Sequence, residues 1–420
     1  MIRSIYMHIL SVRYILYSII MVHSFSAQAS NFLEKLCGIN REDEPKIEVK
    51  RVISALDIQN YSSAKPVYRN GDIPEITITF FIHGTRAWPQ NSLRDVFFVP
   101  TGIYFRSDNP DLGIFRNVLF VTTGFISLPD SCAFPPPCSD ISLEELIAQC
   151  QNPPICNQPE PVPDCNYTVS YPRPGQEPAG KNDPFRVNVL NERSLQADIA
   201  KILRQVDPAR FDFHSPCTPF YFLGWDGALD SRQREFVSEA FYSGIGELLQ
   251  QWKIHIGITP KVRIITHSHG GNLVLNFPVV KQKVPQVLHF VVDELIMLAC
   301  PVQDVNKFNV RDASTFKKVT TFFSPTDFIQ VFDPQQLFLG YNNKGKKYFS
   351  ERLFPESPDN QLIQVYTKIV RGSLQHNDFT RAKFLRVLPR LLDEVEALRL
   401  AAPNTSFLAV LEILGDLNFT

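Results

Sequence analysis

Apolar and polar positions divide this chain into two alternating kinds of segment. Residues 76–82, "ITITFFI", form a β-branched and aromatic run that stops at "HGT", which predicts a buried strand ending in a turn. Runs of the same kind follow at 220–225 ("FYFLGW"), 262–267 ("VRIITH"), 288–299 ("LHFVVDELIMLA"), 318–323 ("KVTTFF") and 362–370 ("LIQVYTKIV"). Helical periodicity lies between several of them, at 194–206, 231–252, 270–284 and 381–400. Unbroken apolar strands alternating with helices predict an α/β fold: a mostly parallel sheet flanked by helices.

One stretch breaks the alternation. Residues 129–184 are rich in Pro and Cys ("FPPPC", "NPPIC", "EPVPDC", "YPRPGQEP") and offer a single short helical candidate, "SLEELIAQC". A segment this long between regular elements reads as an insertion, and its cysteines favour an ordered cap or lid over plain disorder. The alternative is an extracellular decoration with no part in the chemistry.

The N-terminus reads as an export signal. Arg3 and Arg13 precede an apolar stretch from Tyr14 to Phe25, and "SAQA" (26–29) supplies the small-residue pattern for cleavage after Ala29. That makes residues 1–29 a signal peptide, residues 30–420 the mature domain interrupted by 129–184, and the destination secreted, periplasmic or cell-surface. All eight cysteines (Cys37, Cys132, Cys138, Cys150, Cys156, Cys165, Cys217 and Cys300) lie beyond Ala29, and five crowd residues 132–165. Their spacing matches no common zinc pattern, so disulfides in an oxidising compartment are expected, with the pairing open. Cys300, closing "ELIMLAC", reads as a core thiol. A net charge of -1 gives no field to attract nucleic acid. The 33 Phe against 13 Tyr and 3 Trp suit a filled core or an apolar binding surface. No metal-ligand spacing or phosphate-binding Gly-rich loop occurs, so no cofactor is expected.

The candidate chemistry centres on "VRIITHSHGGN" (262–272). A serine attacks a carbonyl well only beside a base, and the oxygen that becomes negative needs donors already aimed at it. Ser268 follows a strand directly, and Gly270 and Gly271 open a helical pattern that can start close to that strand. The backbone N–H of His269 then lies at a helix N-terminus, placed for an oxyanion. His83 and Gly84, after the earlier strand, lead to the amides of Thr85 and Arg86, either of which is a second donor. Asp327 lies in a Pro-containing turn after one late run, and His376 in a Gly-containing loop after the next. His376 would take the proton of Ser268, and Asp327 would orient the imidazole. Asp304 and Asp333 are the alternative acids. His267 and His269 adjoin the serine but are poorly placed as its base, because strand neighbours point to opposite faces.

These residues resemble the α/β-hydrolase superfamily, of the lipase and esterase kind: "HGT" after one strand, "THSHGG" at the nucleophile turn, Asp327 after the next-to-last strand and His376 after the last. The Ser…Asp…His order is the family's order. The likeness runs from Ile76 to the C-terminus, apart from the insertion. It implies an acyl-serine mechanism on carboxylic esters, lipid-like ones by preference. The implied partner is an ester substrate, with a lipid or membrane surface as one source of it, and no nucleic acid; oligomeric state is not read. Thr266 departs from the glycine that the G-x-S-x-G motif carries, which bears on turnover more than on fold. Two other readings share the frame: an amidase or thioesterase on the same triad, and a catalytically silent surface binding protein.

Overall fold

Eight strands form one sheet in which every pairing is parallel, in the order β1-β8-β7-β6-β5-β4-β2-β3. In chain order they are β1 (Val49–Ser54), β2 (Thr77–Ile82), β3 (Phe220–Leu223), β4 (Lys261–His267), β5 (Glu294–Leu298), β6 (Val319–Phe323), β7 (Leu362–Ile369) and β8 (Phe407–Leu414). The structure, a computed structural model, describes residues 49–54, 75–84, 195–211, 220–223, 231–332, 350–355, 362–369, 374–401 and 407–414, with Ala148 and Thr218. All of these fall in one compact unit, Ile47–Thr420. The export signal, the Asn-x-Ser/Thr sequons that begin at Asn60, Asn166, Asn404 and Asn418, every cysteine but Cys300, and the 129–184 insertion apart from Ala148 lie outside the described residues.

The central strands are apolar on both faces because both faces are covered. Along β2, Ile78, Phe80 and Ile82 join one core cluster, while Phe81 joins the other. Along β4, Val262 and Ile264 belong to the first cluster and Ile265 to the second. This period-two split of a continuous apolar run is what a parallel sheet between two helical layers demands. Helix α3 (Ser231–Ile256) covers the first face with Val237, Phe241, Tyr242, Ile245, Leu248, Leu249, Trp252 and Ile256. The second face is covered by α1 (Leu195–Val206), through Ile199 and Leu203, and by the C-terminal helices. The largest of these, α8 (Leu388–Ala401), applies Leu388, Leu391, Leu392, Val395 and Leu398 at helical spacing. The remaining short helices are α2 (Pro208–Phe211), α4 (His269–Val274), α5 (Phe277–Lys281), α6 (Phe328–Phe332) and α7 (Ala382–Leu385). No helix among the described residues is long and apolar enough to cross a membrane.

Four sequence expectations need correction. The helix over 270–284 is two helices, α4 and α5, because Pro278 lacks the amide that would continue the ladder and instead occupies the first turn of α5. The helix over 381–400 is broken in the same way, with Pro389 in the first turn of α8. The long strand over 288–299 is paired in the sheet only from Glu294 to Leu298. Before it, Val292 bridges Phe316, and the Asp293 carboxylate accepts the Val262 amide at 2.9 Å, a side chain doing a ladder carbonyl's work. Finally, β7 is not the last strand: β8 follows and inserts between β7 and β1, so the acid and the base follow the third-last and second-last strands.

Candidate active site

Four strands run side by side: β4 pairs with β5, β5 with β6 and β6 with β7. The residues singled out as nucleophile, acid and base follow the carboxyl ends of β4, β6 and β7. In a parallel sheet this edge is where loops from several strands converge on a ligand.

Ser268 sits between β4 and α4 with φ 54 and ψ -133, one of two non-glycine residues at positive φ among those described. An L-residue held there costs about 1–3 kcal/mol. The surroundings impose it: the Ser268 amide donates to the Leu298 carbonyl on β5 at 2.9 Å, and its own carbonyl accepts from Gly271 at 3.0 Å. The turn is also crowded. A methyl group added at Gly270 would lie 2.6 Å from the Ile82 carbonyl oxygen and 2.7 Å from that of His83. One added at Gly271 would lie 2.4 Å from Cys300 Sγ. Cys300 is indeed a buried thiol. Only glycines let the helix begin this close to β2 and β5.

The strand-end dipeptide His83-Gly84 reaches the same point. A methyl group at Gly84 would stand 2.4 Å from Ser268 Cβ and 3.1 Å from its Oγ, so the Gly84 backbone runs alongside the hydroxyl. His83 Nδ1 lies 2.6 Å from the Gly84 carbonyl. Thr85 and Arg86 lie outside the described residues. His269 is the first residue of α4.

The acid and base are paired. His376 Nδ1 lies 2.8 Å from Asp327 Oδ2, with both side chains buried. A carboxylate only accepts, so Nδ1 carries a proton, which leaves the Nε2 position of a neutral ring with its lone pair. The other carboxylate oxygen, Oδ1, accepts the Gln330 amide at 3.1 Å, and Arg352 donates to the Asp327 carbonyl at 3.2 Å. The Gln330 amide and His376 Nδ1 together satisfy a carboxylate that burial has stripped of water, while the Arg352 bond holds the backbone of its turn. The alternative acid Asp304 is engaged elsewhere, its Oδ1 accepting from Lys307 Nζ at 2.6 Å. Asp333 lies outside the described residues.

Two further bonds fasten the base's loop. Thr326 Oγ1 donates to the Leu374 carbonyl at 2.9 Å and lies 2.9 Å from Ser324 Oγ, so the Ser324 hydroxyl supplies the proton of that second contact. A capping box of Gln375 and Asp378 shapes the short 3-10 turn at His376–Thr380. His267 Nε2 lies 3.0 Å from the His376 carbonyl, and the two rings are 4.8 Å apart between centroids. Burial, aided by the neighbouring His376 ring, pushes the His267 pKa down to about 3; the bond to the His376 carbonyl offsets this only in part, and His83 and His269 depress it further. His267 is therefore neutral across the working range.

The resting hydroxyl of Ser268 and the Nε2 of His376 are not themselves hydrogen-bonded; the contact between their segments runs through His267. Sequence reasoning set His267 aside by strand alternation; the structure places its ring against His376, with Nε2 engaged by the His376 carbonyl. The same alternation turns its ring toward the sheet face where Leu374 and Phe379 pack. Ser324, Thr326 and Gln330 were also missed, because their partners lie on other strands or on the backbone. Thr266, on the opposite face with Ile264, is fully buried, and its hydroxyl has no hydrogen-bond partner among the described residues.

Asp293 and Glu294 take structural roles: Asp293 pairs with Lys317, and Glu294 with Arg263 at 2.5 Å. Burial alone would raise the Glu294 pKa, but the Arg263 guanidinium more than offsets it and the net shift is downward. His289 hydrogen-bonds the Val284 carbonyl at the surface. No cluster suited to a metal ion occurs among the described residues. No protein-family model matches the chain, and a search of curated proteins finds no match either.

Proposed function

We propose that the protein is an exported serine hydrolase of the α/β-hydrolase fold, cleaving carboxylic esters through an acyl-Ser268 intermediate. The observation that carries this reading is a serine at positive φ, next in sequence to a histidine that touches a buried His–Asp pair, with all three residues following strands at one carboxyl edge of a parallel sheet. A strained strand-to-helix turn lifts a hydroxyl clear of the sheet, and such strain concentrates at functional sites.

The chemistry comes from the groups present. Ser268 Oγ attacks the ester carbonyl while His376 Nε2 takes its proton. Asp327 stabilises the resulting imidazolium through Nδ1. The carbonyl oxygen, now negative, accepts from the His269 amide and from the Thr85 or Arg86 amide beyond Gly84. The imidazolium returns its proton to the departing alkoxide, leaving acyl-Ser268 and a neutral base. Water then adds to the acyl carbon, His376 again relaying the proton, and the carboxylic acid leaves. Each oxyanion donor is worth about 10²–10³ in turnover in comparable sites.

One observation favours a second reading, a catalytically silent binding protein: the Ser268 hydroxyl is not bonded to His376 at rest. Such bonds often tighten only when substrate is bound. Hydrolysis of p-nitrophenyl esters of graded acyl length, alongside the matching amides and thioesters, tests the proposal. Ester turnover lost in both Ser268→Ala and His376→Ala supports it, and turnover surviving either substitution overturns it. A preference for amides or thioesters would reassign the substrate on the same triad.

A further inference from the structure

A buried histidine beside a nucleophile could be ordinary core filling, but three features here say otherwise. Its ring makes one hydrogen bond among the described residues, to the backbone carbonyl of the base itself, at 3.0 Å. It is the residue immediately before the nucleophile, so this bond links the chain at Ser268 directly to the backbone at His376. It is also costly: a buried imidazole that resists protonation is a poor substitute for leucine unless its donor is used. On the base's side lie His376 and Asp327, and His83 and His269 flank the serine.

We propose that His267 is a positioning residue for the reaction described above. Its Nε2–H donates to the His376 carbonyl and sets the distance between nucleophile and base. The inference rests on the hydrolase reading. It also fixes a tautomer: a carbonyl only accepts, so Nε2 is protonated and Nδ1 is bare. A displacement of about 1 Å in such a constellation costs on the order of a hundredfold in rate, so loss of the tether acts on turnover.

The test uses the full chain with His267→Leu, which removes the donor, and His267→Gln, whose terminal amide can reach the same carbonyl. Rates on a p-nitrophenyl ester are divided by the sites titrated with a fluorophosphonate, so that misfolded protein does not count. The expected result is a kcat loss of roughly 10- to 100-fold for His267→Leu with KM nearly unchanged, and near-full recovery in His267→Gln. A side chain that merely filled space would lower the titrated fraction and leave the rate per site intact. Nitrogen-15 NMR of the wild-type His267 ring, which needs no activity, should show Nε2 protonated at neutral pH. An Nδ1-protonated ring, an unaltered kcat per site in His267→Leu, or failure of His267→Gln to recover would overturn the proposal. An inert wild type with the Nε2–H tautomer present would instead overturn the hydrolase reading.

Discussion

Replacing Asp327 by asparagine removes one charge and leaves the shape almost unchanged, so the hydrogen-bond geometry decides the outcome. Oδ1 of the carboxylate accepts the Gln330 amide at 3.1 Å, and Oδ2 faces His376 Nδ1 at 2.8 Å. An asparagine has one oxygen to offer. If it faces His376, its NH2 group confronts the Gln330 N–H, leaving buried donors facing each other at a cost of about 1–3 kcal/mol. The oxygen therefore stays with Gln330, and the NH2 group faces Nδ1. The imidazole must then present a bare Nδ1 and carry its proton on Nε2, where the base should be. The same exchange in an unrelated Ser-His-Asp site lowers kcat about ten-thousandfold. At about 1.4 kcal/mol per tenfold, that corresponds to roughly 5.5 kcal/mol of transition-state stabilisation. The assay is kcat and KM on a p-nitrophenyl ester, with circular dichroism to confirm folding and Asp304→Asn as control. KM should barely move in Asp327→Asn, because the carboxylate is wholly buried, and Asp304→Asn should stay within about twofold of wild type. A folded Asp327→Asn variant retaining more than a tenth of the activity would refute the assignment of this acid.

Three other outcomes are expected. Ser268→Gly should be inactive yet more stable by about 1 kcal/mol, since relief of about 1–3 kcal/mol of positive-φ strain exceeds the added flexibility of glycine; a denaturant midpoint below wild type would contradict the strain. Gly84→Ala should cost about 1–3 kcal/mol of stability by overpacking and on the order of a hundredfold in turnover, because its methyl would meet Ser268 Cβ at 2.4 Å. Wild-type turnover in that variant would show that the Gly84 backbone does not guide the site. Acid should destabilise the protein through His267: its folded pKa of about 3 lies below the ordinary histidine value of 6.5, so between those limits the unfolded chain binds the extra proton and stability falls as pH falls. Urea titrations from pH 6 to 4 should therefore show a slope shallower by about 1 kcal/mol per pH unit in His267→Gln than in wild type, and equal slopes would contradict the buried neutral ring.

The sequence made the sheet's middle readable for a physical reason. β2, β4, β6 and β7 are buried on both faces, and that leaves an unbroken apolar signature between turn residues. β1 was not read, because Arg51 and Val52 are exposed and the segment "VKRVIS" carries no such signature. β8, "FLAVLEIL", is apolar enough to be noticed, but its run is equally a buried helix; its identity is set by pairing with β7 and β1, hundreds of residues away in β1's case. The helix breaks at Pro278 and Pro389 were legible and underweighted. In the site, Ser268, Asp327 and His376 were chosen from their order and their places after strands, and local sequence suffices for that. The tethers were not legible: His267 to the His376 carbonyl and Thr326 to the Leu374 carbonyl both end on backbone atoms, which carry no residue-type signal.

The most direct test of the central claim is peptide mapping by mass spectrometry after reaction with a fluorophosphonate. The account expects one adduct per chain, on Ser268, formed far more slowly in His376→Ala and absent in Ser268→Ala. No adduct on folded wild type, or equal labelling of Ser268→Ala, would contradict it.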